Sequence, residues 1–267
     1  MTELYIVPAV LVVGVLFYLF LISPCTRRNT DIENLKGLYI AHRGLHDEYI
    51  PENSLSAFNA AISGGYAIEI DIHITKDDQV VVFHDNTLKR MCGIDKAVED
   101  MTLDELKKLR LLNTDCTIPT LSECLATVSG RVPLLVEFKA ESMTVCKRLC
   151  QKANEILSQY TGVYFIQSFF PFVLYWYKKN APRVLRGQLS TNFKSDAFYK
   201  RLLSSLVTNF IARPHFISYE HKYFKKFVLK VIKAMGGTLI CWTLKNEKQL
   251  KNAKKHFAAY IFENFIP

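Results

Sequence analysis

Two kinds of apolar pattern run along the chain. Residues 4–22, LYIVPAVLVVGVLFYLFLI, form one uninterrupted run without a charge. Beyond it, short apolar runs of strand length alternate with stretches of helical periodicity. The clearest strand is AIEIDIHIT (67–75), where isoleucines alternate with Glu69, Asp71 and His73. Strict alternation sends successive side chains to opposite faces, so one face is branched and apolar and the other carries the charge. Further strands are predicted over 38–42, 80–84, 133–139, 163–169, 184–189, 215–220, 237–244 and 259–264. Helices are predicted between most of them. SLSAFNAAIS (54–63) is stopped by Gly64 and Gly65, and VCKRLCQKANEILSQY (145–160) by Gly162, glycine being a common residue past the last helical turn.

Strands separated by helices pair in parallel. Nine runs are one too many for an eight-stranded barrel, and the extra one identifies itself. Only KDDQ separates Thr75 from Val80, whereas a parallel crossover needs about a dozen residues or more. That pair must be an antiparallel hairpin. Eight strands remain for an α/β fold of the closed (β/α)8 TIM barrel type. The competing doubly wound open sheet calls for a glycine-rich phosphate loop after the first strand, where this chain has HRGLHDEY.

The N-terminal run changes the picture. Nineteen helical residues span about 28 Å, close to the hydrocarbon thickness of a bilayer. A cleaved signal peptide would carry a basic start and a shorter apolar stretch, but this chain begins Met1-Thr2-Glu3. Arg27, Arg28 and Lys36 follow the run and nothing basic precedes it, which leaves the remainder in the cytoplasm by the positive-inside rule. The expected organisation is a single-pass transmembrane helix over 1–23, a polar linker over 24–36 and a catalytic barrel over 37–267. The net charge is +9, with lysines clustered in 222–233 and 245–255. No nucleic-acid-binding motif accompanies them, so a solvated face or attraction to anionic headgroups is the expected use. The seven cysteines show no CxxC pairs, which disfavours a disulfide framework or a zinc site.

Barrel enzymes place their chemistry at the carboxyl ends of the strands. Read in order, those ends are His42-Arg43-Gly44, then Glu69 and Asp71 with His84-Asp85 from the hairpin partner, Glu137-Phe138-Lys139, Gln167-Ser168-Phe169, and Trp242. Glu69 and Asp71 lie two apart on a strand and share a face; Glu137 arrives from another strand at a matching position. Three convergent carboxylates repel unless a cation neutralises them, and oxygen-only ligation suits one Mg²⁺ or Ca²⁺. Arg43 and Lys139 add cations suited to holding phosphate oxygens, although Lys139 can instead simply pair with Glu137. His42 and His84 exchange protons near neutral pH and form a candidate acid–base pair for P–O cleavage. His73 and His46 are left as structural residues, and Asn53 or Ser54 as a cap of the following helix.

The segment AHRGLHDEYIPENSLSAFNAAISGGYAIEIDIHITKDDQVVVFHDNTLKRMCG, with VEFK, QSF before a proline and CWTL later on, resembles the glycerophosphodiester phosphodiesterase family. The likeness covers residues 36–267. It implies a (β/α)8 barrel with a small insertion after the second strand and a divalent-metal phosphodiesterase. His42 and His84 match the family's catalytic histidines, Glu69, Asp71 and Glu137 its metal ligands, Arg43 and Lys139 its phosphate contacts, and Trp242 an aromatic lining the substrate cleft. Two positions depart from the pattern, Phe170 for a common aspartate and Glu263-Asn264 for a Thr-Asp pair; neither is expected to touch the metal or proton-transfer groups, and both bear on substrate selection more than on catalysis. The expected reaction is hydrolysis of glycerophosphodiesters to glycerol 3-phosphate and an alcohol. One alternative is lysophospholipase D activity on membrane lysophospholipids, with the aromatic run 169–179 at the interface. Another is an inactive, membrane-tethered interaction module.

Overall fold

The computed structural model describes residues 3–25, 30–193 and 197–267, with backbone alone for residues 3–7 and 30. Its strands are β1 (Tyr39–Ala41), β2 (Ala67–Ile74), β3 (Val80–Val82), β4 (Leu134–Phe138), β5 (Tyr164–Ser168), β6 (Arg186–Ser190), β7 (Phe216–Glu220), β8 (Thr238–Leu244) and β9 (Ala259–Phe262). Each falls on one of the expected runs. Eight of them close a ring of parallel pairs, β1-β2-β4-β5-β6-β7-β8-β9 and back to β1. β3 stands outside the ring, antiparallel to β2, with Ile74 opposite Val80. The fold is a (β/α)8 TIM barrel.

The helices are α1 (Glu3–Ile22), α2 (Leu55–Ser63), α3 (Lys89–Cys92), α4 (Leu103–Lys107), α5 (Leu121–Val128), α6 (Met143–Leu157), α7 (Pro171–Asn180), α8 (Phe198–Ser204), α9 (Asn209–Ala212), α10 (Phe227–Ala234) and α11 (Glu247–Ala253). Their starts are written in capping residues. Ser54 accepts the Ala57 amide, Thr102 and Thr120 form capping boxes with Glu105 and Glu123, and Ser142 and Asn246 cap α6 and α11, each satisfying amides that the helix itself leaves unpaired. Between β3 and β4 the insertion folds α3 to α5, and Val81, Phe83, Leu88, Met91, Val98 and Leu106 bury against one another as a small core of their own. The lysine-rich stretches form α10 and α11, which bury Val228, Leu229, Ile232, Leu250 and Ala253 and leave Lys230, Lys233, Lys248 and Lys251 exposed.

All eight residues of β2 are buried, so both faces of the alternating strand are covered. Ile68, Ile70, Ile72 and Ile74 pack outward against the helices. The other face looks into the ring. There, Leu35, Ile40, Ala67, Leu135, Phe165, Phe216, Ile240, Ala259 and Ile261 form an apolar inner core. Leu35 ends a 3-10 turn over Thr30–Leu35, within the expected linker, and plugs this core. Inner packing also fixes Gly187, because a Cβ there would stand 2.0 Å from the Phe216 ring. Two residues further along each strand the inward side chain becomes polar: His42 after Ile40, Glu69 after Ala67, Glu137 after Leu135, Gln167 after Phe165 and Glu263 after Ile261. The floor of the barrel is oil and its mouth is charge.

α1 occupies the place of the expected membrane helix. Among the described residues no helix is long and apolar enough to cross a membrane. The structure thus supports a helix at that position and not, by itself, a crossing. Among the described residues its C-terminal end is docked: Tyr18 and Leu19 pack on the barrel's core, Asn209 Nδ2 donates to the Ile22 carbonyl at 3.0 Å and Arg213 Nη1 to the Phe20 carbonyl at 2.6 Å. Arg27 and Arg28, which orient the expected span, lie outside the described residues.

Candidate active site

The mouth of the ring holds a cavity of about 280 Å³ whose lining includes His42, Arg43, Glu69, His84, Glu137, Lys139 and Trp242. The sheet register explains the meeting, since Asp71 stands opposite Glu137 across the β2–β4 pair. Glu69, Asp71 and Glu137 each place one carboxylate oxygen within 4.8 Å of the others, and all three are buried. Every residue singled out in the sequence as a candidate for the chemistry therefore lies in or against one cavity.

Three buried carboxylates cannot all keep their charge unaided. Burial raises Glu69 well above the usual carboxylate range, and the charges of Asp71 and Glu137 push in the same direction. Glu137 is also raised by burial, against the pull of Lys139. Burial works against ionised Asp71 too, but Lys139, His84 and Arg43 outweigh it and hold that carboxyl below its usual range. Lys139 does pair with Glu137, donating to Oε1 at 2.5 Å, and its Nζ also lies 2.9 Å from Asp71 Oδ1. Arg43 donates to Glu52 at 2.7 Å and lies 3.5 Å from Asp71. Among the described residues neither cation's side chain pairs with Glu69, whose Oε2 accepts only the Arg43 backbone amide, at 3.1 Å. Glu69 Oε1 is buried without a hydrogen-bond partner. An orphaned carboxylate oxygen in an all-oxygen cluster fits a hard divalent cation, whose charge offsets the repulsion.

The two histidines are held alike. His42 Nδ1 meets Glu263 Oε2 at 2.5 Å, and His84 Nδ1 meets Asp85 Oδ1 at 2.6 Å. A carboxylate accepts the Nδ1 proton and leaves Nε2 as the exchanging atom. Burial opposes the charge on Glu263, but hydrogen bonds from His42 and Lys245 hold it well below the ordinary carboxylate value. Burial lowers His84, with Asp71 pulling the other way. Trp242 donates from Nε1 to the Ser218 carbonyl and stands edge-on to Phe169, with ring centroids 5.8 Å apart, as an aromatic wall. His73 Nε2 meets the His84 carbonyl at 3.2 Å, a structural contact, and His46 is a half-buried loop residue whose imidazole burial lowers.

The family model for the glycerophosphoryl diester phosphodiesterase family matches residues 42–266. The chain belongs to that family. A lysophospholipase D of Rattus norvegicus is 27% identical over 276 residues, 88% of this chain and 86% of its own. Glycerophosphodiester phosphodiesterase 1 of Homo sapiens is 25% identical over 267 residues, 85% and 78% of the two chains. Among solved structures, an Oleispira antarctica phosphodiesterase in complex with its product sn-glycerol-3-phosphate superposes with a TM-score of 0.72 at 26% identity, covering 86% of this chain and 94% of that one. A glycerophosphodiester phosphodiesterase of Thermotoga maritima gives 0.68 at 26% identity, over 84% and 94%.

The structure of this family member gives roles that the sequence reading did not assign. Asn53 is no cap: Ser54 caps α2, while Asn53, at φ 54°, donates from Nδ2 to Asp71 Oδ2 at 3.0 Å. Arg90 reaches Asp85 with Nε at 2.7 Å and Glu52 with Nη2 at 2.7 Å. A chain of ion pairs runs His84–Asp85–Arg90–Glu52–Arg43–Asp71, tying one histidine to the carboxylate cluster. Glu263 lies one residue past β9 and two past inward-facing Ile261, so alternation marks it as a cavity residue; expected to stand clear of the proton-transfer groups, it instead pairs with His42. Phe170 lies beside Ser168, its amide donating to Ser168 Oγ at 3.1 Å, and its ring is 5.3 Å from Phe172.

Proposed function

We propose that this phosphodiesterase hydrolyses glycerophosphodiesters to glycerol 3-phosphate and an alcohol, with His42 and His84 as its acid–base pair. The observation carrying the reading is one cavity that joins three buried carboxylates to two carboxylate-backed histidines and two cations. Glu69, Asp71 and Glu137 would hold one divalent cation, Mg²⁺ or Ca²⁺, which supplies positive charge toward a phosphate oxygen. Arg43 and Lys139 add their own positive charge beside that oxygen, where charge grows as the fifth P–O bond forms. One histidine takes the proton of the attacking oxygen through Nε2; the other gives a proton to the departing alkoxide. The P–O bond to the alcohol breaks as the new P–O bond forms, and the phosphate stays with glycerol. Phe169 and Trp242 form an aromatic wall of the cavity.

A purified full chain is to be assayed with glycerophosphocholine across Mg²⁺, Ca²⁺ and chelator, beside His42→Ala and His84→Ala. The expected result is turnover that chelation abolishes and that each alanine lowers more than about a hundredfold. Full turnover by His42→Ala removes that residue from the mechanism.

A second reading takes lysophospholipids as substrates, with the enzyme tethered to the bilayer by α1 and the barrel on the cytoplasmic side. The relatives named lysophospholipase D support it. So does α1 itself: Val10, Leu11, Val12, Val13, Val15, Leu16 and Phe17 are all exposed, an apolar surface on every side of the helix that water does not favour. α7, from the aromatic run, is chiefly a packing helix that buries Val173, Leu174 and Tyr177.

A further inference from the structure

Beside the catalytic mouth lies a second, larger cavity of about 700 Å³. Its walls are mostly apolar, with Phe170 and Phe172 near the start of α7, Leu202 and Leu203 of α8 and Ile211 of α9, beside Tyr199 and the polar Glu141, Lys200 and Thr208. No step of the proposed reaction uses it. The two cavities adjoin. Phe169 lines both, and a third depression shares His84, Glu137 and Lys139 with the first and Ala140, Glu141 and Phe170 with the second. Polarity falls along this path, from the carboxylate cluster through Phe169 to an apolar chamber. The far wall is α9, where Ile211 faces the chamber and its neighbour Phe210 sets its ring 6.5 Å from Phe20 of α1. The chamber thus extends from the reacting groups to the turn on which the apolar N-terminal helix docks.

A glycerol headgroup and a phosphate do not need such a chamber. A hydrocarbon chain attached to them does. The volume lies within the ~300–1,000 Å³ range of small-molecule sites, which are mostly apolar with a few polar groups at one end. We propose that this chamber is the acyl-chain subsite of the enzyme, holding the single chain of a lysophospholipid while its phosphodiester sits at Glu69, Asp71 and Glu137. The proposal rests on the phosphodiesterase reading of the mouth and assigns the substrate class that the second reading names. Phe169 stands at the junction as the point where chain and headgroup part. Each methylene taken from water into an apolar wall is worth roughly a factor of four in affinity, so chain length is the quantity the site reads.

The test uses the full chain with glycerophosphocholine, octanoyl and dodecanoyl lysophosphatidylcholine, all below the concentration at which micelles form. The expected result is a kcat/KM that rises at least tenfold along the series. Phe172→Glu and Tyr199→Glu alter two residues that are 38% and 60% exposed, positions that tolerate charge without unfolding. Each is expected to cut the ratio of dodecanoyl to headgroup-only kcat/KM at least tenfold. Calorimetric titration with dodecylphosphocholine, which carries the chain but no cleavable glycerol diester, gives a readout independent of turnover. It should show binding with a negative heat-capacity change that both variants lose. Turnover without chain-length dependence, or an unchanged ratio in both variants, overturns the subsite and leaves the phosphodiesterase reading standing. Tyr199-dependent binding by a protein that cleaves no diester does the reverse.

Discussion

His42 reaches Glu263 across 221 residues of sequence, and in the proposed mechanism the pair leaves Nε2 as the nitrogen that meets substrate. Glu263 touches no reacting atom in the proposed mechanism; it is a positioning residue, with Lys245 2.8 Å from its other oxygen. Replacing it by glutamine keeps the shape and removes the charge, and the amide can turn its NH₂ toward Nδ1. The ring then loses the partner that fixed its tautomer. Glu263→Gln is expected to lower kcat at least tenfold with KM little changed, the signature of an interaction made in the transition state. A variant whose loss lies in KM alone would place Glu263 in ground-state binding instead.

The element that carries His42 and Arg43 is a turn between β1 and α2, and its geometry depends on Gly44. Gly44 has φ +81°, and a Cβ there would lie 2.8 Å from the Ala57 Cβ and 2.9 Å from the Ala57 carbonyl carbon. Backbone conformation and close packing forbid a side chain together. Gly44→Ala is expected to cost about 2 kcal/mol or more, visible as a lower urea midpoint at unchanged slope. Because α2 begins only at Leu55, the strain falls on the loop holding Arg43 and Asn53, and turnover should drop with stability. An unchanged midpoint would mean that α2 can retreat from the turn.

At the scale of the whole molecule, two couplings join the barrel to its surroundings. Among the described residues α1 is fastened through Tyr18–Ile22, so deleting residues 2–17 keeps that end docked and removes the exposed apolar length. Flotation with vesicles of phosphatidylcholine and phosphatidylserine should recover the full chain and not the truncated one, with glycerophosphocholine turnover preserved; equal flotation of both would assign membrane binding to the lysine faces of α10 and α11. The second coupling is to protons. His215, ahead of β7, is buried and accepts the Arg186 amide through Nδ1 at 3.2 Å. Burial and the Arg186 charge lower its imidazole from 6.5 to about 4. A depressed histidine is neutral in the fold and protonated in the unfolded chain, so its contribution is complete above pH 6.5 and is lost as pH falls toward 4. The loss is on the order of 2 kcal/mol. His215→Asn, whose Oδ1 can accept the same amide, should flatten the fall of the urea midpoint across that window; an unaltered slope would assign the acid sensitivity elsewhere.

What the sequence determined by itself is local or set by simple chain geometry. Alternation marked β2, the four-residue KDDQ link forced the β2–β3 hairpin, and helices between strands required parallel pairing and hence the barrel. The candidate residues at the strand ends were also legible, because their inward parity is a property of each strand alone. Tertiary structure decided what depends on closure of the ring. Asn53 meets Asp71 across 18 positions and Arg90 meets Glu52 across 38, separations at which a local pattern carries no information about contact. The same holds for the apolar chamber, whose walls come from α7, α8 and α9 and exist as a cavity only once those helices pack. Side-chain parity is fixed by the backbone period; which distant side chains share one volume is fixed by packing.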